Sequence, residues 1–329
     1  MELTYGEAIR EALYQELNVD LSTVLFGEDI RYNIYGYTGN LVEAFGHDRV
    51  IDTPLSEAAI VGTAVGAAMC GLKTVVDLTV ANFLFVAMDQ IVSIASKTNY
   101  MYNGQFKLPV TIMCSALYNA SNAAQHSDRP HALFMNIPGL KILAPATPQD
   151  AYSLLRTAIR DNNPVLYFSD RTCFYTKQDV DLDMHIEIGK AAVIKRGSDV
   201  TIVSISGCTK LAMDIMPELE RLNISAEIVD VRTLVPLDKE TILKSVKKTG
   251  RVVIADTANK TGSAASEIAS IIAEEAFYSL TVPVGIVAHE DVPVPFAKNL
   301  ELQLLPTKEK LLQKVIATVQ SHNKVLQIS

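Results

Sequence analysis

Apolar positions along the chain switch repeatedly between the 3.6-residue spacing of a helix and the short dense runs of a buried strand. Residues 5–16 carry helical spacing and lead into the β-rich run TVLFGED, the loop IRYNIYGYTGN and the run VIDT. Further β-rich runs are TVVDLTV, LPVTIMC, KILAP and PVLYFSD, with helices expected over residues 86–97 and 148–160 among them. Residues 171–197 break the pattern with a polar, aspartate-bearing stretch that reads as a linker. A second alternation follows, with strands in DVTIVSISG, SAEIVDVRTL, RVVIADT and VPVGIVA and helices over residues 210–222, 239–246 and 263–275. Such alternation predicts an α/β fold of two parallel-sheet domains with helices on both sheet faces. The domains expected are residues 1–185 and 186–329.

One helix departs from the amphipathic rule. In IDTPLSEAAIVGTAVGAAMCG, Glu57 precedes an uncharged run from Ala58 to Leu72. Ser56 predicts an N-cap, and Glu57 complements the positive end of the helix dipole. Gly62 and Gly66 fall one turn apart, although a glycine inside a helix costs about 1 kcal/mol relative to alanine. Small residues there predict that another backbone or a flat ligand comes close. The run is too short for a membrane span, which needs roughly 20 apolar residues. A buried helix that starts with an acid is expected.

Length and charge narrow the classes. A chain of 329 residues exceeds what one core usually serves, and 49% hydrophobic content suffices for two. The net charge of -8 and the scattered Lys and Arg argue against a nucleic-acid partner. Cys70, Cys114, Cys173 and Cys208 form no C-x-x-C pair, so neither a zinc knuckle nor a redox dithiol is expected. The stretch MELTYGEAIREAL has no basic segment leading into an apolar one, so no signal peptide and a cytoplasmic location are expected.

The order GED, IDTPLSE, a Gly/Ala helix, MDQI, AQHS, PGLKILAPATPQDA, AIRDNNP and SVKKTGR, running from about Ala8 to Pro306, carries a resemblance. The chain resembles the beta subunit of the thiamine diphosphate-dependent decarboxylase component of 2-oxoacid dehydrogenase complexes, and more loosely the matching parts of transketolase-type enzymes. The resemblance implies a thiamine pyrimidine-binding domain followed by a transketolase C-terminal-type domain. It also implies decarboxylation of a small 2-oxo acid and acyl transfer to a lipoyl group on a partner acyltransferase.

For single residues, the resemblance implies that Glu57 hydrogen-bonds the aminopyrimidine ring of thiamine diphosphate and promotes proton removal from its thiazolium carbon. Physics agrees, since a carboxylate in an apolar site can share a proton with a weakly basic ring nitrogen. Phe83 would stack on the aminopyrimidine, and Glu28 and Leu55 would lie beside it. Without the resemblance, Phe83 and Leu55 read as core and Glu28 as an acid at a strand end. His126 lies in the polar loop ASNAAQHSDRP, where the resemblance implies stabilisation of the substrate adduct and help in acyl transfer. Imidazole suits that task because it titrates near neutral pH, and a surface histidine is the plain alternative. His131 is a weaker candidate. The resemblance further implies a potassium ion on main-chain oxygens at Val110, Ala158, Asp161 and Asn163; an asparagine-rich turn before Pro164 accounts for the same residues without one.

Thiamine enzymes hold magnesium and diphosphate with Gly-Asp-Gly and a following Asn, and this sequence has no Gly-Asp-Gly. An alpha subunit supplying Mg2+ and the diphosphate half, in an α2β2 heterotetramer, is therefore expected. Departures from the family bear on substrate and acceptor. The loop before His126 reads SALYNASNAA instead of a glycine-rich stretch, Val86 replaces a common Gln, and the second domain has IADTANKTGSAASEI where Glu and Gly are usual. They keep open a split transketolase-like or acyloin-forming enzyme, and a non-catalytic structural paralogue.

Overall fold

The computed structural model describes residues 1–325 and divides into two compact units, the first comprising residues 1–118 and 125–188, the second residues 119–124 and 189 onward. In the first unit the strands are β1 (Glu2–Thr4), β2 (Thr23–Gly27), β3 (Val50–Asp52), β4 (Lys73–Val80), β5 (Val110–Ala116), β6 (Lys141–Leu143), β7 (Val165–Asp170) and β8 (Lys177–Asp179). Six of them run parallel in the order β6-β7-β5-β4-β2-β3. The helices are α1 (Tyr5–Val19), α2 (Leu41–Phe45), α3 (Glu57–Met69), α4 (Ser96–Met101), α5 (His131–Met135) and α6 (Pro148–Arg160).

α1 and α6 form one layer over the sheet. Ile9, Leu13 and Leu17 of α1 share a buried cluster with Leu155 and Ile159 of α6. Between these helices Glu16, almost fully buried, accepts from Arg156 Nε at 2.9 Å and Arg160 Nη2 at 2.7 Å. Either guanidinium alone still leaves the Glu16 carboxylate a cation, and Arg160, with its side chain 45% exposed, is partly screened by water.

The second unit holds β9 (Ala192–Lys195), β10 (Val200–Ser204), β11 (Ala226–Asp230), the short β12 (Thr233–Val235), β13 (Val252–Asn259) and β14 (Gly285–His289). Its sheet has the order β14-β13-β10-β11-β9. Helices α7 (Cys208–Asp214), α8 (Met216–Arg221), α9 (Lys239–Thr249), α10 (Ala264–Glu275), α11 (Lys298–Leu304) and α12 (Lys308–Val325) complete it. Among the described residues no helix is long and apolar enough to cross a membrane.

The α/β class with parallel-rich sheets stands, and five local expectations do not. The stretch read as a linker contains two strands: β8 pairs antiparallel with β1, and β9 lies antiparallel on β11 at the edge of the second sheet. The helix expected over residues 210–222 breaks at Ile215, because Pro217 has no N–H to donate and its ring opposes the carbonyl one turn back. The helix expected over residues 86–97 is π-helical over Asp89–Ala95 before α4 begins. There the hydroxyls of Ser96 and Thr98 donate to Val92 O and Ile94 O at 2.7 and 2.8 Å, back-bonding of a kind that bends helices. Finally, Ser56 makes no side-chain cap bond, so Glu57 alone answers the dipole of α3.

α3 also differs from the buried helix expected. Ile60, Val61, Ala64, Val65 and Ala68 are covered, whereas Ala59, Thr63 and Gly66 are exposed. A methyl group added at Gly66 would meet nothing within 4 Å, so no backbone of this chain approaches there.

Candidate active site

The candidate residues gather where parallel strands end, the usual ligand side of an open α/β sheet. β2 stops at Gly27, where a Cβ would lie 2.9 Å from Asp77 O, so only glycine lets the strand pass and deliver Glu28. β3 stops at Asp52 and runs through the loop holding Leu55, 65% exposed, into Glu57, 8% exposed at the first turn of α3. Burial first, then the charges of Asp29, Glu57 and Asp52, raise the Glu28 carboxyl above its ordinary pKa. A carboxylate beside others in this way holds a proton more readily.

β4 ends with a register shift against β5 between Asp77 and Val80, and Thr79 adopts a left-handed φ of 57°. The bulge turns the chain into the short 3-10 helix Ala81–Phe85 that carries Phe83. Buried Asp77 fixes the turn, its Oδ1 accepting from Thr79 N at 2.9 Å and Tyr37 OH at 3.1 Å. Burial pushes its pKa up to about 6 against an ordinary 3.8, with the two hydrogen bonds opposing the shift. A carboxyl raised on folding stabilises the fold most below its unfolded pKa, and that contribution is lost as pH rises from about 4 to about 6. The loss amounts to about 3 kcal/mol. Asp77→Asn retains an oxygen for both donors and cannot ionise, so its unfolding free energy should fall less across that window than the wild type's, by the Asp77 contribution. Urea denaturation at pH 4.5 and 7.5 measures the difference; parallel declines would show that Asp77 is not the group responsible.

His126, half-buried, meets Phe83 edge-on with ring centroids 5.5 Å apart and planes at 78°. Their two segments are locked together. Asn82 Nδ2 donates to Asp128 Oδ2 at 2.7 Å, and Asp128 N donates to Asn82 Oδ1 at 3.1 Å. This reciprocal pair was not among the candidates from sequence; its only local sign is that each member sits within two residues of one. His131 is buried edge-on to Phe168 at 6.0 Å, a packed core position.

The proposed potassium ligands lie at the opposite end of the strands. Val110 begins β5, Asp161 caps the end of α6 and Asn163 precedes β7. Asp161 pairs with Lys141 through Oδ2 and accepts from Asn163 N at 2.9 Å through Oδ1, while Ala158 O accepts from Asp161 N at 3.1 Å. The side-chain charge thus has its cation, and only main-chain oxygens would serve an ion. Among the described residues no His, Cys, Asp and Glu cluster suits a metal.

Residues 1–175 match the family model of the transketolase pyrimidine-binding domain, and residues 189–311 that of the transketolase C-terminal domain. A split-gene transketolase, described as an inactive beta4 tetramer, superposes with a TM-score of 0.80 at 24% identity, covering 97% of this chain and 98% of that one. Fold and matched domains thus define a transketolase-type α/β protein. The pyruvate dehydrogenase E1 beta subunit of Rickettsia felis is 40% identical over 96% of this chain and 98% of its own. The 2-oxoisovalerate dehydrogenase beta subunit of Bacillus subtilis is 37% identical over 94% and 96%. That organism's acetoin:2,6-dichlorophenolindophenol oxidoreductase beta subunit is 36% identical over 94% and 95%. The chain belongs to the family of beta subunits of thiamine diphosphate-dependent 2-oxoacid dehydrogenases.

Proposed function

We propose that this chain is the beta half of a cytoplasmic, heteromeric enzyme that decarboxylates a small 2-oxo acid and passes the acyl group to a lipoyl acceptor on a partner acyltransferase. The observation that carries the reading is the contact of His126 with Phe83, which sets an imidazole beside an aromatic platform at the strand ends. The residues fit thiamine diphosphate: Glu57 is a nearly buried acid near a second carboxyl, and Leu55, Phe85 and Val86 leave an apolar surface open nearby. When bound, the cofactor supplies a carbon nucleophile for the 2-oxo group and an electron sink for the loss of carbon dioxide. Glu57 holds and shares a proton with the aminopyrimidine ring. Phe83 offers its face to that ring, with Glu28 and Leu55 closing the same side. His126 donates or accepts a proton at the substrate oxygen.

The alpha subunit, as the other half of an α2β2 assembly, contributes Mg2+ and the diphosphate grip. Potassium at Val110, Ala158, Asp161 and Asn163 belongs to the same reading, since hard cations favour oxygen donors. For the ligating alternative, the relevant feature is the loop before His126. Asn119, Ser121 and Ala123 all adopt left-handed φ values between 56° and 60°, the conformation glycine takes most easily. These conformations are ones that a glycine-rich loop would also take, which favours the dehydrogenase.

His126→Ala in the complex with the alpha subunit is expected to leave hydrogen–deuterium exchange at the thiazolium carbon intact. Acylation of lipoamide should fall about 10²-fold, the range of a lost general acid or base. Wild-type lipoamide acylation by the variant would remove His126 from the mechanism; impaired aldehyde capture with normal turnover of an artificial electron acceptor would point to the ligating enzyme.

A further inference from the structure

The segment that leads into His126 is held by a carboxylate far away in sequence. Glu301, fully buried on α11, accepts from three consecutive backbone N–H groups, those of Asn119 at 2.5 Å, Ala120 at 3.3 Å and Ser121 at 3.0 Å. Lys298, on the same helix, donates to Asn119 O at 2.8 Å. Successive N–H groups converge on one anion where left-handed residues interrupt the chain, and Asn119, Ser121 and Ala123 supply those conformations. None of the three is glycine; Asn119 takes the shape at little cost, but at Ser121 and Ala123 it persists only while the surroundings impose it. Glu301 imposes it through both carboxylate oxygens.

We propose that Glu301 is a positioning residue for His126: its carboxylate clasps the backbone of Asn119, Ala120 and Ser121 and so delivers the chain to His126 in one conformation. The inference rests on the reading of His126 as the group that meets the substrate. Segment 119–124 clusters with the second unit, and the chain continues directly into Gln125 and His126. Loss of the clasp would leave left-handed Ser and Ala to relax, and His126, three residues beyond Ala123, would then be held only from the side of Asp128, through its pair with Asn82. Glu57 and Phe83 reach their places through other strands and would be unaffected.

The test compares the full chain with Glu301→Gln, and with Glu301→Gln carrying Ala123→Gly as a rescue, since glycine takes the left-handed conformation without strain. Amide hydrogen exchange over residues 119–127 should accelerate about tenfold or more in Glu301→Gln and recover partly in the double variant. In complex with the alpha subunit, exchange at the thiazolium carbon should be unchanged, while kcat for lipoamide acylation falls about tenfold and is partly restored by Ala123→Gly. Unchanged amide protection would overturn the clasp. Faster amide exchange with wild-type acylation would overturn the positioning role, and so would an equal fall in thiazolium exchange, which marks general damage. A wild-type complex that shows no thiazolium exchange sinks the thiamine reading itself, a result separate from the amide measurement.

Discussion

Glu57→Gln should slow hydrogen–deuterium exchange at the thiazolium carbon of bound thiamine diphosphate by about 10²-fold or more, while the protein stays folded and assembled. The two roles open to Glu57 differ greatly in magnitude. As a charge at the start of α3 it contributes about 0.3–1 kcal/mol to stability, and glutamine forfeits no more than that. As a proton-sharing acid it governs a rate, and glutamine cannot take up or release a proton there. The structure separates the roles further, because Ser56 does not cap the helix and Glu57 lies close enough to Glu28 to help raise its carboxyl. Exchange at the wild-type rate would reduce Glu57 to a helix-end charge.

The second large effect concerns the partner. Alone, the chain should bind thiamine diphosphate at least about 10²-fold more weakly than with its alpha subunit, and should show no turnover. The side of the candidate site formed by Leu55, Phe85 and Val86 is open, at 65%, 40% and 57% exposure, so the pyrimidine end would be held on one face only. The diphosphate end depends on charge-assisted hydrogen bonds worth about 1.5–3 kcal/mol each. Losing two of them already weakens binding by about 10²-fold or more. Calorimetric titration with and without the alpha subunit reads this directly, and micromolar binding by the isolated chain would defeat the two-subunit reading.

What sequence could reveal follows the range of the interactions. α6 matches the expected residues 148–160 because its signals are local: Thr147 caps it by accepting from Asp150 N, and Pro148 occupies the first turn. The parallel strands were legible for the same reason, as dense apolar runs between turns. The π-helical turn after Phe83 was not, since hydroxyls bonding back to carbonyls leave no mark in periodicity. Nor were β8, three polar residues paired with β1, and β9, a four-residue run that a polar stretch surrounds and that forms its strand on β11. At the site, Glu57, Phe83 and His126 could be singled out because they sit in motifs. The Asn82–Asp128 pair spans 46 positions and the bond from Asn119 to Glu301 spans 182, distances at which pattern carries no information.

The layer made by α1 and α6, together with the β1–β8 ribbon, has a consequence for synthesis. α1 is translated well before α6, so the surface that covers Ile9, Leu13 and Leu17 arrives only with residues 148–160, and the ribbon closes only with Asp179. At about 5–20 residues per second the nascent helix waits roughly 10–30 s with its apolar stripe exposed. Glu16 waits equally long for Arg156 and Arg160. Chaperone demand should therefore be greatest before the second unit is translated, and a ribosome stalled at Asp170 would carry all six strands of the first sheet with its covering layer still unlatched.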